Sequence, residues 1–270
     1  FNLLLGYTGL LSFGHAAFYA TGAYATGLIL KHGIPSLLPG ALGGTAVAAI
    51  LALGIGYLCV RHTQIYFSML TLAFGMMIYA LVWKWGAVTG GDDGLVGIPR
   101  PPLEMPGMVR VELSTMGQYY YVVLVAALVT IYLLHCLVRS PFGLVLQGIR
   151  ENENRAQFAG VSVKRYRLIA FTISGMVAGL AGSLLGPLEN TVAPDVAHWA
   201  KSAEPVLVTL IGGVHTFGGP ILGAAIFLMM KEAIVRHTEY WLIWFGIILV
   251  IMVLGFRGGV MSYLPYKWQA

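Results

Sequence analysis

The sequence predicts an all-α fold, a polytopic bundle of transmembrane helices in which some helices are broken by glycine. The chain of 270 residues is 58% hydrophobic and only 10% charged, with a mean hydropathy of +0.79, whereas soluble domains carry about 25% charged residues. Several runs long enough to span a bilayer contain no Asp, Glu, Lys or Arg. Basic residues cluster in one short loop between such runs. We therefore expect a single membrane domain over residues 1–270, with about seven or eight crossings.

The first uncharged run, Phe1 to Leu30, is too long for one plain crossing. An unbroken helix over this run would measure about 45 Å, against a hydrocarbon core of about 30 Å. Its middle, GYTGLLSFGH (Gly6 to His15), combines glycines, hydroxyl groups and a histidine. In transporters, such interruptions free backbone groups that line a substrate path. A broken or re-entrant helix is therefore expected, and close helix packing at small residues is the alternative.

Five further uncharged runs predict the plain crossings. Each is near or above the length of about 20 apolar residues that a spanning helix needs. They are Ala41 to Val60, Ile65 to Trp83, Leu113 to Leu134, Leu168 to Leu188 and Tyr240 to Phe256.

A second glycine-rich segment, IGGVHTFGGP (Ile211 to Pro220), shares with the first several glycines, a threonine, a Phe-Gly step and a histidine. We expect a short helix over Pro205 to Leu210, a tight turn over Gly212 to Gly219, and a second helix over Pro220 to Met230 with proline in its first turn. Two such breaks in one chain favour a substrate path, or a hinge beside it, over packing alone.

The loop from Arg139 to Arg167 is predicted to be cytoplasmic, because cytoplasmic loops carry the excess of Lys and Arg. Ser140-Pro141 indicates a helix start and Gly160 a stop. This helix is either solvated on all sides or docks a cytoplasmic partner; docking is favoured because exposed Phe158 would need a cover. The six basic residues are Arg139, Arg150, Arg155, Lys164, Arg165 and Arg167.

Counting crossings from this loop gives the sidedness of the other segments. Gly86 to Glu112 and Glu189 to Glu204 become external, and Arg61 becomes internal. The chain begins at Phe1 without methionine. We therefore expect the native N-terminus to be missing.

The sequence also argues against several classes of function. It contains no GxxxxGK[ST] phosphate loop, CxxC, HExxH or GxSxG motif, and its seven histidines have no metal-ligand spacing. We expect no catalytic residue, metal or cofactor. The basic pI of about 9.2 reflects membrane orientation rather than nucleic-acid binding. No Asp or Glu lies in a predicted span, which disfavours an ion-driven carrier.

Five motifs follow one another along nearly the whole chain. They are GYTGLLSFGHAAFYATGAYATG, YFSMLTLAF, TGGDDGLVGIP, VRSPFGLVLQGIRENENRAQFAGVSVKRYRLIAFTISGMVAGLAGSL and LVTLIGGVHTFGGPILGAAI. In this order they resemble the permease subunits of branched-chain amino acid ABC importers, specifically the subunit type with a TGG-DGL loop. The resemblance implies half of a translocation path for branched-chain or related amino acids. A self-contained channel or secondary carrier for a small polar solute such as urea is the alternative.

The resemblance also implies a cellular location and partner subunits. It places the chain as a multi-pass protein in the cytoplasmic (inner) membrane of a bacterium or archaeon, surrounded by lipid. The implied partners are a related permease subunit, two cytoplasmic ATP-binding subunits that hydrolyse ATP, and an extracytoplasmic substrate-binding protein. No nucleic acid is implied.

The resemblance assigns residues to both faces of the membrane. Asp92 and Asp93 in the TGG-DGL loop would contact the binding protein, and an acidic solvated turn without such a contact is the alternative. Two positions depart from the pattern: Asn154 stands where the general coupling signature has an acidic residue, and Val214-His215 replaces a Gly-rich turn. The residues expected to couple to the ATPases are Arg150, Glu151, Asn152, Glu153 and Gly160, within the 139–167 loop.

A zwitterion crossing hydrocarbon needs polar partners. With no acid or base expected inside a span, hydroxyl groups, a histidine and unwound backbone are the partners available. For His15 a packing role, bonded to a neighbouring carbonyl, is the alternative. The expected path residues lie in the two broken segments: Ser12, Gly14, His15, Thr216, Phe217 and Gly218.

Overall fold

The computed structural model describes residues 1–33, 36–62, 64–102, 115–237, 243–244, 246–247, 250 and 259–263. Helices dominate this part of the chain, which confirms the all-α prediction. In order they are α1 (Asn2–Thr8), α2 (His15–His32), α3 (Leu37–Cys59), α4 (Gln64–Lys84), α5 (Gly86–Thr89), α6 (Met116–Arg139), α7 (Pro141–Glu151), α8 (Glu153–Phe158), α9 (Val163–Glu189), α10 (Trp199–Gly212) and α11 (Gly219–Val235). Short 3₁₀ turns cover Gly91–Asp93, Pro194–Ala197 and Val260–Tyr263, and two short strands are β1 (Leu95–Val96) and β2 (Thr191–Val192).

Four of the described helices are long and apolar enough to cross a membrane: α3, α4, α6 and α9. They match four of the predicted plain crossings. The expected run from Tyr240 to Phe256 lies largely outside the described residues. The two glycine-rich runs are each divided into two helices, α1 with α2 and α10 with α11.

The core is built where α2, α3 and α9 pack at small residues. A Cβ atom at Gly22 of α2 would overlap the backbone of Gly179 on α9, and one at Gly182 would overlap the carbonyl oxygen of Tyr19. On α3, a Cβ atom at Gly44 would overlap the hydroxyl of Thr26 and lie 2.7 Å from the carbonyl oxygen of Gly22, both on α2. Small residues let membrane helices approach this closely. Glycines inside α2, α3 and α9 therefore allow close helix packing. This role exists in addition to the helix breaks at the two glycine-rich segments.

The two segments predicted to be external meet in the structure. β1 and β2 pair in an antiparallel ladder, with Leu95 opposite Val192. Arg100 extends this link, because its guanidinium donates to the carbonyl oxygens of Pro187 (2.8 Å) and Leu188 (2.7 Å) at the end of α9. The last carbonyls of a helix lack intrahelical donors, so Arg100 satisfies two of them.

The opposite end of the bundle carries the predicted cytoplasmic loop. The single helix expected between Pro141 and Gly160 is divided in two, because Asn152 is extended and caps α8 after α7 ends at Glu151. The expected start at Pro141 is present, and α8 is followed by Gly160, whose φ of 84° is a left-handed conformation that glycine adopts readily. Arg61, after the end of α3, lines one small cavity with Lys164 and Arg165 at the start of α9. The predicted internal basic residues thus lie at the same end.

The start of α10 differs from the expectation. The helix was predicted to begin at Pro205, but it begins at Trp199, and Pro205 lies inside it. The observed start is capped locally, because His198 Nδ1 accepts the N–H of Ala200 at 3.4 Å. The first turn also contacts α2, where the Ser202 hydroxyl accepts the N–H of Ala16 at 2.8 Å. Residues 199–204, assigned from the sequence to an external loop, are therefore helical and packed against α2.

Candidate membrane cavity and coupling face

The break after α1 is held in place by hydroxyl groups of α4. The N–H of Phe13 donates to Thr71 Oγ1 at 3.2 Å, and Ser68 Oγ donates to the carbonyl of Leu11 at 2.7 Å. Ser12 is fully buried and accepts the N–H of Gly14 at 3.3 Å. Freed backbone groups are costly in hydrocarbon, and here side chains of the neighbouring helix satisfy them. The hydroxyl groups of α4 therefore stabilise the break between α1 and α2.

Gly14 fills a position where only glycine fits. A Cβ atom there would lie 2.7 Å from the carbonyl oxygen of Thr71. A leucine at Gly14 would consequently displace α4. Loss of transport in such a variant would therefore report disrupted helix packing as well as any blockage of a substrate path.

His15 opens α2 near the middle of the bundle. Its Nε2 lies 2.7 Å from Ser174 Oγ on α9. Ser174 is roughly 17 Å from the start of α9 and about 22 Å from its end, at 1.5 Å per residue. Nδ1 of His15 is buried and has no hydrogen-bond partner among the described residues. His15 thus bonds to a serine hydroxyl and not to the backbone carbonyl expected under the packing alternative.

The second break, between α10 and α11, lies against α1 and α6. Asn2 Nδ2 donates to the carbonyl of Thr216 at 3.0 Å, and the ring of Phe217 packs on His135 with centroids 4.9 Å apart. Gly218 precedes α11 and faces Met261. The structure therefore joins the second break to the helix that precedes the first break.

Two neighbouring cavities are lined by two of the six expected path residues, His15 and Phe217. The larger, of about 520 Å³, is lined by His15 and by one face of α9 up to Glu189. The smaller, of about 210 Å³, contains Phe217 and residues of α1, α6 and α10. The cavities share four lining residues, Phe1, Ser174, Val177 and Pro205. Ser12, Gly14, Thr216 and Gly218 do not line either cavity.

Sequence reasoning missed the charged residues of the larger cavity. Lys201, Glu204 and Glu189 line it together with His15. Lys201 and Glu204 were assigned to an external loop because the uncharged run starts at Pro205. Their spacing of three residues, which places both on one helix face, was the signal available in the sequence. α10 therefore carries an acid and a base beside the larger cavity, at residues that were expected to lie outside the spans.

Arg150 joins the 139–167 loop to both glycine-rich segments. From α7, its guanidinium donates to the carbonyl of Gly6 at the end of α1, and Nη1 lies 3.1 Å from His215 Nδ1 in the α10–α11 turn. An arginine has no acceptor, so this histidine nitrogen accepts. The stem of Arg150 also packs on Gly9, whose φ of 72° is left-handed.

The other residues expected to couple have distinct positions. Glu153 binds Arg167 through both carboxylate oxygens at 3.0 Å, which ties α8 to the buried start of α9. Asn152 caps α8 by accepting the N–H of Arg155 at 2.9 Å, and Glu151 is exposed. Phe158 is 93% exposed.

The loop predicted to be external presents a separate acidic feature. Asp92 and Asp93 are exposed on a 3₁₀ turn between Gly90 and Gly94, which both have positive φ. A Cβ atom at Gly94 would overlap the carbonyl of Val192 on β2. The strand pair therefore fixes the position of this acidic turn.

Comparison with known proteins agrees with this architecture. A family described as "Branched-chain amino acid transport system / permease component" matches residues 1–254. The chain belongs to this family. The chain is thus a membrane permease component rather than an enzyme. The match gives no support to the alternative of a urea channel.

Individual members of the permease family share part of their length with this chain. The "High-affinity branched-chain amino acid transport system permease protein LivM" of Escherichia coli K12 is 30% identical over 94% of this chain and 64% of its own length. The "Probable branched-chain amino acid transport permease protein LivH" of Methanocaldococcus jannaschii is 24% identical over 85% of this chain and 73% of its own. The "Guanosine ABC transporter permease protein NupQ" of Bacillus subtilis is 29% identical over 62% of this chain and 51% of its own. No solved structure gave a significant match.

Proposed function

We propose that this permease chain forms half of the translocation path of an ATP-driven importer for branched-chain or related amino acids. Similarity to LivM over 94% of the chain supports the substrate class. The chain spans 64% of that relative's length. The proposed partners are a related permease, two cytoplasmic ATP-binding subunits and an extracytoplasmic binding protein, in a bacterial or archaeal inner membrane.

The observation that carries the proposal is the contact of Arg150 with both helix breaks. An importer must convert movement at its cytoplasmic face into movement along its path. Arg150 lies on the helix of the proposed coupling loop and bonds to Gly6 and His215. A self-contained channel would have no use for such a connection between a surface helix and two internal breaks.

Reconstitution tests the proposed function. The chain, its sister permease, the ATP-binding subunits and the binding protein should together import radiolabelled L-leucine into proteoliposomes when ATP is present. The permease chains alone should import nothing. Uptake by the chain alone, or uptake without ATP by the complex, would contradict the proposal and support a channel or carrier.

Cysteine labelling tests the docking role of the cytoplasmic loop. In a variant with Cys59 and Cys136 replaced by alanine, a cysteine introduced as Phe158→Cys should react with an impermeant maleimide only from the cytoplasmic side. The reaction should slow about tenfold when the ATP-binding subunits are bound, because a docked partner covers exposed apolar groups. Gly117→Cys, near the start of α6, is the matched control and should react only from outside.

Equal reactivity of the Phe158→Cys variant with and without the ATP-binding subunits would show that α8 does not dock them. Labelling from the outer side would overturn the assigned orientation.

Charge reversal tests the outer loop. Replacing Asp92 and Asp93 by lysine should raise the binding-protein concentration needed for half-maximal ATPase stimulation by about tenfold, because rim charges chiefly affect association. The Asp92→Asn/Asp93→Asn variant should give a smaller rise. An unchanged half-maximal concentration in the lysine variant would assign the loop a purely structural role.

A further inference from the structure

The larger cavity contains an ion pair to which the proposed function assigns no role. Lys201 and Glu204 lie one turn apart on α10, with Nζ 3.1 Å from Oε1. Lys231 of α11 approaches the same oxygen at 3.6 Å. The side chains of Lys201 and Glu204 are 42% and 35% exposed. One carboxylate therefore faces two ammonium groups, and the pair is accessible.

This ion pair lies deeper than an external loop would. Ser202, between its two members, accepts the N–H of Ala16 in the first turn of α2. His15 of the same turn contacts Ser174, roughly 22 Å from the outer end of α9. Ionisable groups at such depth face a water-filled cavity or a partner and mark substrate paths.

The surroundings of the pair suit a small amphipathic solute. One wall of the cavity is the apolar face of α9, with Val177, Ala178, Ala181 and Leu185. The cavity volume of about 520 Å³ is within the range of about 300–1,000 Å³ for small-molecule sites. The N-terminal end of α2, which carries partial positive charge, contributes His15 and Ala16 to the lining. Glu189 lines the rim and forms no ion pair with a described residue.

We propose that Lys201 and Glu204 form a transit site for an amino acid zwitterion, in which Lys201 binds the carboxylate and Glu204 binds the ammonium group. The apolar face of α9 receives the side chain. A zwitterion can enter by exchanging partners with the existing ion pair, so no charge is left unpaired. The site holds substrate weakly because the pair must separate first. This inference rests on the proposed function.

Binding is measured on the assembled complex of two permeases and two ATP-binding subunits in lipid nanodiscs, without binding protein or ATP. The probe is L-leucine, detected by saturation transfer to its methyl protons. Wild-type complex should give a signal for L-leucine at least about fivefold stronger than for isopentylamine or 4-methylpentanoate, which each lack one charged group. Lys201→Met and Glu204→Gln should each remove this preference. Lys84→Met, an exposed lysine at the outer end of α4, should retain it.

Uptake by the complete importer separates substrate binding from a structural role of the pair. With saturating leucine-loaded binding protein, each single variant should lower the maximal uptake rate about tenfold, and the Lys201→Met/Glu204→Gln double variant should be no better than the worse single variant. A purely structural role predicts recovery when Lys231→Met is added to the double variant, because none of the three charges then remains, whereas the transit site predicts that this triple variant stays as low. Recovery, or retained leucine preference in the single variants, would overturn the proposal.

Failure of the proposed function would look different. A wild-type complex that imports no leucine with ATP contradicts the importer function itself. The nanodisc experiment requires neither ATP nor transport, so it decides on the zwitterion site separately.

Discussion

Replacing Arg150 by methionine should uncouple ATP hydrolysis from uptake: we expect imported leucine per ATP to fall about tenfold or more. Hydrogen bonds to charged groups contribute about 1.5–3 kcal/mol each, and every 1.4 kcal/mol is about a factor of ten. The Arg150 guanidinium bonds to the carbonyl of Gly6 and to His215. Methionine keeps the apolar stem against Gly9 but loses both bonds. ATP hydrolysis and leucine uptake should be measured on the same proteoliposomes.

Two variants make this measurement specific. Arg150→Lys retains the charge but lacks the forked geometry of the guanidinium, so we expect an intermediate loss. Arg155→Met removes a neighbouring exposed arginine of α8 and should leave the ratio unchanged. An unaltered ratio in the Arg150→Met variant would refute the role assigned to this arginine.

Replacing Gly182 by alanine should prevent normal assembly of the chain. The added Cβ would overlap the carbonyl oxygen of Tyr19, and neither backbone can move without separating α2 from α9. Overpacking in a well-packed core costs typically 1–3 kcal/mol, and occasionally more. We expect the yield of folded protein after detergent extraction, measured by size-exclusion chromatography, to fall at least about tenfold.

Gly54→Ala is the matched control within the same group of helices. Gly54 lies on α3, and no atom would be within 4 Å of its added Cβ. Alanine has the higher helix propensity, so the yield of this variant should equal or exceed wild type. Normal yield of the Gly182→Ala variant would show that α2 and α9 are not held at the described distance.

Both helix breaks could be predicted from the sequence because their signals are local. Glycine and proline disfavour a helix interior wherever they stand, and GYTGLLSFGH and IGGVHTFGGP concentrate them. The end of the coupling segment at Gly160 was predictable for the same reason. These features need no knowledge of the neighbouring helices.

The cavity could not be predicted in the same way because its residues meet through helix packing. His15 contacts Ser174, and Ser202 contacts Ala16, across separations of 159 and 186 residues. The rotation of α9 and α10 about their axes decides these contacts, and periodicity is a weak guide in helices that are apolar all round. Lys201 and Glu204 were assigned to a loop because the uncharged run begins only at Pro205. The helix start at Pro141 could be predicted from the sequence, but the inward direction of Arg150 depends on the same packing.

The close approach of α2 to α9 has a consequence for the evolution of this chain. Where two side chains meet, a larger one on one helix can be offset by a smaller one on the other. At Gly182 the opposing atom is the main-chain oxygen of Tyr19, which every possible replacement of Tyr19 would also carry. No second mutation at that position can therefore rescue the first. We expect an alignment of relatives that share this helix pair to show glycine at position 182 without any covarying partner at position 19.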